Sequence, residues 1–550
     1  MGKKRSGHVG DSNGKQKKLK TGVLPPKDLD SGDYLELTDS RTAAEVQDTA
    51  ACSGREVLQH ILGPCKISVF FKSVWEKRVL LVRRQECPNF FESWCSKGAL
   101  KDLLQREDLS YTYNVDVTKY DGQERANYNY NQNRNASEDI ADPDVVWARY
   151  SQDGCSVRLL HPQRWFEHLA DTLAKLEEVF LSCVGCNAYL TPANSKGFAP
   201  HFDDIDAFVL QVEGAKRWRL HKPITEDHVL PRFSSPDFFR EDLDEPFLDI
   251  VLHPGDLLYM PRGTIHQAQA LPEAHSLHLT VSANQRNSWA DFLEVALPRA
   301  LQLAAEECVD LRRAMPLGYM QYMGVQYSDS SILEAKRAAF ESTAQAMVQR
   351  VLEFLPLDGT ADQLAAQFLQ QRLPPSRDPE AAPQPLLAWG SRVLLQKPDA
   401  ARLVVEDDTA VVYHCLANVR QCHASIAGDE RSSCSGRLEF SLDRAPALEA
   451  LLLRTPSVGK GVALHKVLPG RDADDLLAAR QLQNEGILIN SKESSNLCYL
   501  LLEALDGACK VHQVLLSYLQ RLLSFSFCVI CLALQHLAFI PSTADVIIFN

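Results

Sequence analysis

Residues 199–223 read APHFDDIDAFVLQVEGAKRWRLHKP, and the reading of this stretch decides the fold. AFVLQV (207–212) is a buried-strand run, EGA (213–215) is a tight turn around Gly214, and KRWRL (216–220) runs back. Together they form a hairpin. His201 and Asp203 stand just before its first strand. In extended chain, residues i and i+2 point to the same side, so an imidazole and a carboxylate are offered to one point. A polar turn before a strand is the ordinary reading of such residues. The triplet alone is weak evidence: 16 His and 71 acidic residues in 550 positions place about two H-x-[DE] triplets by chance.

The surroundings change that weight. CSVRLL, CNAYLT, AFVLQV, KRWRL, LLYM and HLTVS follow one another between 155 and 285, separated by Gly, Pro, Asp and Asn. Many short strands at close spacing predict a sandwich or jelly roll. PGD (254–256) and PRG (261–263) are turn chemistry. The PRG turn aims the next strand, at whose start stands His266. Two histidines and one carboxylate on one face of an octahedral metal leave three positions open for substrate and oxygen, the facial triad of non-haem iron oxygenases. Such enzymes need a base inside the barrel for the distal carboxylate of 2-oxoglutarate. Lys216, after the hairpin turn, is the candidate, with Trp218 on the same side of its strand. An isolated hairpin lysine is ordinarily a solvated surface residue; the triad and the apolar neighbours place this one inside.

RLLHPQ, NAYLTPANSKGFAPHFDDIDAFVLQVEGAKRWRL, LHPGDLLYMPRGTIHQA and HSLHLTVS resemble the JmjC ribosomal oxygenases. The resemblance covers roughly residues 55–490. It implies a mixed α+β protein: a double-stranded β-helix (jelly-roll, JmjC/cupin-like) core, then a helical dimerisation domain and a winged-helix domain. It implies His201, Asp203 and His266 as iron(II) ligands. Lys216 and Asn187 fall in the 2-oxoglutarate pocket, and Arg158, Tyr189 and Ser282 near the substrate channel. The implied cosubstrates are 2-oxoglutarate and O2. The implied reaction is hydroxylation of a histidine side chain in a large-subunit ribosomal protein. The alternative is demethylation of methyl-lysine on histone tails, and a third reading is a non-catalytic chromatin or ribosome-assembly factor, against which the intact triad and Lys216 argue.

The rest of the chain sets the frame. Hydrophobic residues make up 45% and charged residues 23%, ordinary for a globular protein with a large core. A net charge of −13 speaks against whole-chain nucleic-acid or membrane binding. Lys3, Lys4, Arg5, Lys15, Lys17, Lys18 and Lys20 cluster in a Gly/Ser-rich arm and read as a nuclear, nucleolar address. No apolar segment follows them, so no secretory signal is expected. The 15 Cys are scattered, which suits a reducing compartment. CVGC (183–186) reads as strand, and HC (414–415) with CH (422–423) lacks metal-clip spacing.

The expected domains are 1–50, a disordered basic arm; 51–285, the jelly roll; 286–390, helical; 391–490, winged-helix-like; and 491–550, an atypical tail. Helices are predicted over 54–63, 88–104 and 163–180, and 127–144 reads as a loop. Trp289, Phe292, Leu293 and Ala296 mark a helix that Pro298 should kink or end. Phe340, Ala344, Met347, Val351 and Phe354 form a stripe suited to a homodimer seam or an intrachain bundle. ARLVVEDDTAVVYHCL reads as a hairpin, DADDLLAARQLQNEG as a helix capped by Asp472, and ILIN as a last strand. VEDD, GDE and DADD argue against direct nucleic-acid binding by this part. The tail run 522–540 has no formal charge; its polar residues make a membrane span the weaker reading.

Overall fold

The computed structural model describes residues 32–42, 52–130, 140–283, 286–375, 384–423 and 436–491. The basic arm, GDE (428–430) and the tail lie outside the described residues.

Twelve strands build the first part: β1 Tyr34–Thr38, β2 Val79–Arg83, β3 Val115–Tyr120, β4 Arg125–Asn127, β5 Ser156–Leu160, β6 Gly185–Thr191, β7 Asp206–Gly214, β8 Lys216–His221, β9 Leu248–Leu252, β10 Leu257–Met260, β11 Ile265–Ala270 and β12 Ser276–Ala283. Among the described residues they form a nine-stranded sheet, β1-β2-β10-β7-β12-β6-β5-β3-β4, and a three-stranded sheet, β11-β8-β9. β7 is buried on both faces over Asp206–Val212, which is why AFVLQV is apolar but for Gln211. Phe208, Leu210 and Val212 of β7 join the core shared with the helices Gly54–Leu62 and Glu167–Phe180. Ala207 and Val209 join a second core with Trp218, Leu220 and Leu252 of the small sheet. The same alternation runs along β5, β6 and β12. Val157, Leu159, Ala188, Leu190, Leu277, Leu279 and Val281 face the helices, so Arg158, Tyr189, His278 and Thr280 face the interior between the sheets.

Several expectations change. Residues 34–38 are not a disordered arm: they pair in parallel with β2. Asp39 then anchors the segment, its Oδ2 accepting from Arg84 Nε at 3.0 Å. The helix expected over 88–104 is a 3-10 turn at Glu92–Trp94 followed by a helix over Lys97–Arg106. Ser96 restarts the chain as N-cap, its hydroxyl accepting from Ala99 N. The loop 127–144 ends in a helix that begins at Pro143, with Asp142 as its cap. Pro298 does not end its helix, which runs from Trp289 to Glu307. The capping box of Ser288 with Asp291 starts it, and burial of Ala296, Ala300 and Ala304 holds it on either side of the proline. Among the described residues, no helix is long and apolar enough to cross a membrane.

The chain divides into two compact units: 1–381 with 399–445, and 382–398 with 446–550. The segment 399–445, grouped with 391–490 in the sequence reading, packs within the first unit. There the hairpin Ala401–Glu406 and Thr409–His414 carries VEDD at its turn and pairs with Gly436–Ser441. In the second unit, Arg392–Leu395 lies between Val462–Ala463 and Leu488–Asn490. Helices Ala445–Arg454, Leu464–Val467 and Ala473–Asn484 accompany this sheet, the last capped by Asp472 as predicted.

One buried network locks the first unit. Glu177 is fully buried; its Oε1 accepts from Val184 N at 3.0 Å and from His423 Nε2 at 2.8 Å. Its Oε2 accepts from Leu373 N at 2.8 Å, and Arg372 Nε lies 3.9 Å away. Gln163 Nε2 donates to His423 Nδ1 at 2.9 Å. Cys183 lies nearby, but the carboxylate is already taken up by protein donors, and the guanidinium opposes a cation. His423 is thus spent on Glu177, not on a clip with His414 and Cys415. We predict that Glu177→Ala lowers unfolding free energy by about 3 kcal/mol, because it strands buried donors. Chemical denaturation measures it; a loss within error of zero would refute the locking role.

Candidate metal centre and cosubstrate cavity

His201 lies on an extended segment before β7, which begins only at Asp206. That segment is held by an antiparallel bridge to His266 at the start of β11. His266 N donates to His201 O at 2.8 Å, and His201 N to His266 O at 3.2 Å. The bridge sets the two rings 4.6 Å apart, centroid to centroid. Asp203 follows on the same side, as the i, i+2 rule requires. Its carbonyl accepts from Gly263 N at 3.0 Å, which ties the PRG turn to the same segment. Gly263 has φ +86°, and a Cβ there would stand 2.1 Å from His228 O. Only glycine fits this turn.

Asp203 Oδ1 lies 3.8 Å from His201 Nε2, and Oδ2 lies 3.8 Å from His266 Nε2. Ligand atoms from the three residues all lie within 4.8 Å of one another. Each Nδ1 is turned away onto a backbone carbonyl, His201 to Ala199 O at 2.8 Å and His266 to Thr264 O at 3.0 Å. A carbonyl only accepts, so both Nδ1 atoms carry the proton and both Nε2 lone pairs face the carboxylate. Burial, together with the neighbouring His201, pushes His266 down to about 4, keeping it neutral. Two imidazole lone pairs and a carboxylate around one point fit a divalent first-row metal with three open positions.

The triad opens on a cavity of about 290 Å³. Lys216 lines it, 5% exposed, at the first position of β8. Gly214 makes this placement: at φ +60° its missing Cβ would lie 1.7 Å from His275 O. Lys216 Nζ donates to Thr191 Oγ1 at 3.0 Å, its one side-chain hydrogen bond among the described residues. Burial pushes its pKa down to about 7. A cation buried with one hydroxyl is a poor arrangement unless an anion joins it. The dicarboxylate 2-oxoglutarate fits that requirement.

Arg158 and Tyr189 also line the cavity. The ladder makes them neighbours: Tyr189 is opposite Arg158 on one side and His278 on the other. Arg158 Nε donates to Asp116 Oδ2 at 2.9 Å. Tyr189 stacks on His278 at 4.8 Å with an interplanar angle of 1°. Asn187 sits one step further along β6 on the same face as Tyr189; it does not itself line the cavity. Ser282 shares the face of His278 and Thr280, but the structure leaves it outside the lining. His278, Thr280, Phe198, Arg125 and Asp237 line the cavity and were missed. For two of them a signal existed: HLTVS sets His278, Thr280 and Ser282 at every second position of a strand otherwise apolar.

A JmjC domain model matches residues 158–292. Ribosomal oxygenase 1 of Danio rerio is 37% identical over 430 residues, covering 74% of this chain and 76% of the relative. Ribosomal oxygenase 1 of Homo sapiens is 38% identical over 455 residues, covering 79% and 67%. The chain belongs to the JmjC ribosomal oxygenases. It is therefore an iron(II)- and 2-oxoglutarate-dependent oxygenase. The bifunctional lysine-specific demethylase and histidyl-hydroxylase NO66 of Dictyostelium discoideum is 36% identical over 446 residues, covering 79% and 82%. Among solved structures, Escherichia coli ribosomal oxygenase YcfD is 16% identical, covering 77% of this chain and 98% of its own, at a TM-score of 0.40.

The buried lysine yields a pH prediction. Its folded pKa lies below its ordinary 10.5. Below about pH 7 it is charged both folded and unfolded, and the burial penalty is full. Between 7 and 10.5 the folded state sheds the proton first, and the penalty fades as pH rises. Lys216→Met should therefore stabilise the ligand-free protein, more at pH 6 than at pH 10. Paired melting curves at the two pH values check it; an equal or inverted gain contradicts the burial.

Proposed function

We propose that this oxygenase hydroxylates a histidine side chain, at its β-carbon, in a large-subunit ribosomal protein. The observation that carries the reading is the triad of His201, Asp203 and His266 opening on the same cavity as the buried Lys216. In this reading the three residues hold iron(II), and Lys216 pairs with the distal carboxylate of 2-oxoglutarate by a charge-assisted bond. With O2, the bound metal supplies the chemistry that turns 2-oxoglutarate into succinate and CO2 and leaves one oxygen atom in a substrate C–H bond. The chain's own residues do the rest. The carbonyls of Ala199 and Thr264 fix the tautomer of both imidazoles. Asp116 steadies Arg158 at the wall, and Tyr189, stacked on His278, offers a flat edge against which an imidazole can lie. The apolar layer of Ala207, Val209 and Met260 limits water.

Demethylation of a histone methyl-lysine is the second reading, carried by the names of some relatives. A trimethylammonium needs open aromatic faces. Phe198 already has Arg125 at 5.7 Å and Arg158 at 5.3 Å from its ring centre. Tyr189 gives a face to His278, so the described lining favours the histidine substrate.

His201→Ala or Asp203→Ala should abolish succinate formation while the protein stays folded. Mass spectrometry of ribosomal-protein peptides, incubated with iron, ascorbate and 2-oxoglutarate, should show the gain of one oxygen atom on histidine. Oxidised histidine from the alanine variants, or a loss of methyl groups from lysine peptides alone, would sink the reading.

The same reading takes the protein as a nuclear, nucleolar homodimer with a winged-helix unit. The arm's basic clusters support the address. Three helices on a three-stranded sheet are compatible with a winged helix. For the dimer, the stripe read at Phe340–Phe354 is partly spent within the chain, since Phe340 stacks on Tyr319 at 5.8 Å. A second stripe is exposed on the preceding helix: Trp289, Leu293, Leu297 and Leu301. The helix Glu334–Leu352 buries no residue of its own. Such apolar surface calls for a cover. Leu297→Asp with Leu301→Asp should give a monomer by light scattering; a wild-type protein that is itself monomeric would refute the dimer.

A further inference from the structure

The mouth of the cavity carries an ion pair that the chemistry above does not use. Arg125, on the short exposed edge strand β4, reaches across to Asp237, with Nε 3.3 Å from Oδ2. Both residues line the cavity. Neither is buried: their side chains are 42% and 34% exposed. An ion pair in that much water contributes little to stability, so its position at the entrance calls for another explanation.

Asp237 is held in register with the metal ligands. Ser235 N donates to Phe202 O at 3.0 Å, and Phe238 N to Pro200 O at 2.8 Å. Ser235 Oγ accepts from Phe202 N at 2.9 Å. These bonds flank Asp237 on both sides and fasten its loop to the segment that carries His201 and Asp203. The carboxylate is thus preorganised at a fixed distance from the reacting centre. Arg125 has an alternative resting place, since its guanidinium also lies 5.7 Å from the centre of the Phe198 ring. It can give up Asp237 and keep that contact. Beyond Asp237 the loop continues with Glu241, Asp242, Asp244 and Glu245, all exposed, against Arg240.

We propose that Asp237 selects a basic residue beside the target side chain, exchanging Arg125 for a lysine or arginine of the substrate protein. The proposal rests on the reading above, in which a segment of a ribosomal protein enters the cavity. Proteins that bind nucleic acid are rich in lysine and arginine, so the selected chemistry is common in that substrate class. Arg125 acts as a placeholder that keeps the carboxylate from attracting other cations and that must be displaced.

The test uses the full chain and two synthetic peptides, each with a central histidine, one flanked by arginines and one by glutamines. Binding is read by fluorescence polarisation. The wild-type protein should bind the arginine peptide about threefold more tightly, the scale of one exposed ion pair. Asp237→Asn should erase that preference and leave the glutamine peptide unchanged. Arg125→Gln should move the other way and tighten the arginine peptide, because the competitor is gone. A pair with a merely structural role would weaken binding in both variants. Retention of the preference by Asp237→Asn, or weaker binding by Arg125→Gln, overturns the proposal; Arg125→Gln carries the test alone if Asp237→Asn does not fold. Succinate formation by the wild-type protein with iron and 2-oxoglutarate is measured in parallel. Its absence overturns the oxygenase reading, whereas its presence without the peptide preference overturns only the role of Asp237.

Discussion

The backbone bridge between His201 and His266 is the constraint on which the rest depends. These residues are 65 positions apart; His266 lies in the β8–β11 ladder opposite Leu220, whereas His201 stands outside the named strands and is placed by its bridge to His266. Two backbone hydrogen bonds bring their rings together. Asp203, two residues on, is carried by the same segment to 3.8 Å from His266 Nε2. The PRG turn, closed by Gly263 onto Asp203 O, prevents the bridge from slipping. A slip of one residue would send every ligand to the opposite face.

From that bridge the cavity follows by alternation. The central strands of the large sheet are buried on both faces, but only their helix-facing side is apolar throughout. On the inner side, β5, β6 and β12 place Arg158, Tyr189 and His278 in a cross-strand row, and Thr191 next to Lys216. Polar groups buried this way lower stability unless something joins them. Lys216 is the clearest case, a cation with one hydroxyl for company. In the proposed reading a dianionic cosubstrate offsets this cost, and the large core elsewhere makes it tolerable.

Much of this was legible from short-range patterns. The hairpin around Gly214, the triad spacing and the helix capped by Asp472 each depend on a few neighbouring residues. What was not legible depended on distant partners. Tyr34–Thr38 looks like polar arm, and becomes a strand only because β2 offers an edge. Pro298 should interrupt a helix, yet the flanking alanines are buried and hold the helix through it. The stripe from Phe340 to Phe354 reads as a seam, but Tyr319 and Tyr322 occupy part of it. His423 lacked the spacing of a metal clip, and nothing near it in the chain named its partner, Glu177, 246 residues away.

The sequence by itself determined the chemistry: which side chains can ligate a metal, which lysine follows a turn that only glycine permits, and which strands are buried on both faces. These are consequences of residue type and of a two-residue period, both local. Only the tertiary structure decided which of these groups share one space. It put Asn187 and Ser282 beside the cavity rather than in it, brought His278 against Tyr189, and set Arg125 and Asp237 across the mouth. The physical reason is that strand register and loop docking are fixed by hydrogen bonds between residues far apart in the chain, and no local pattern encodes the partner.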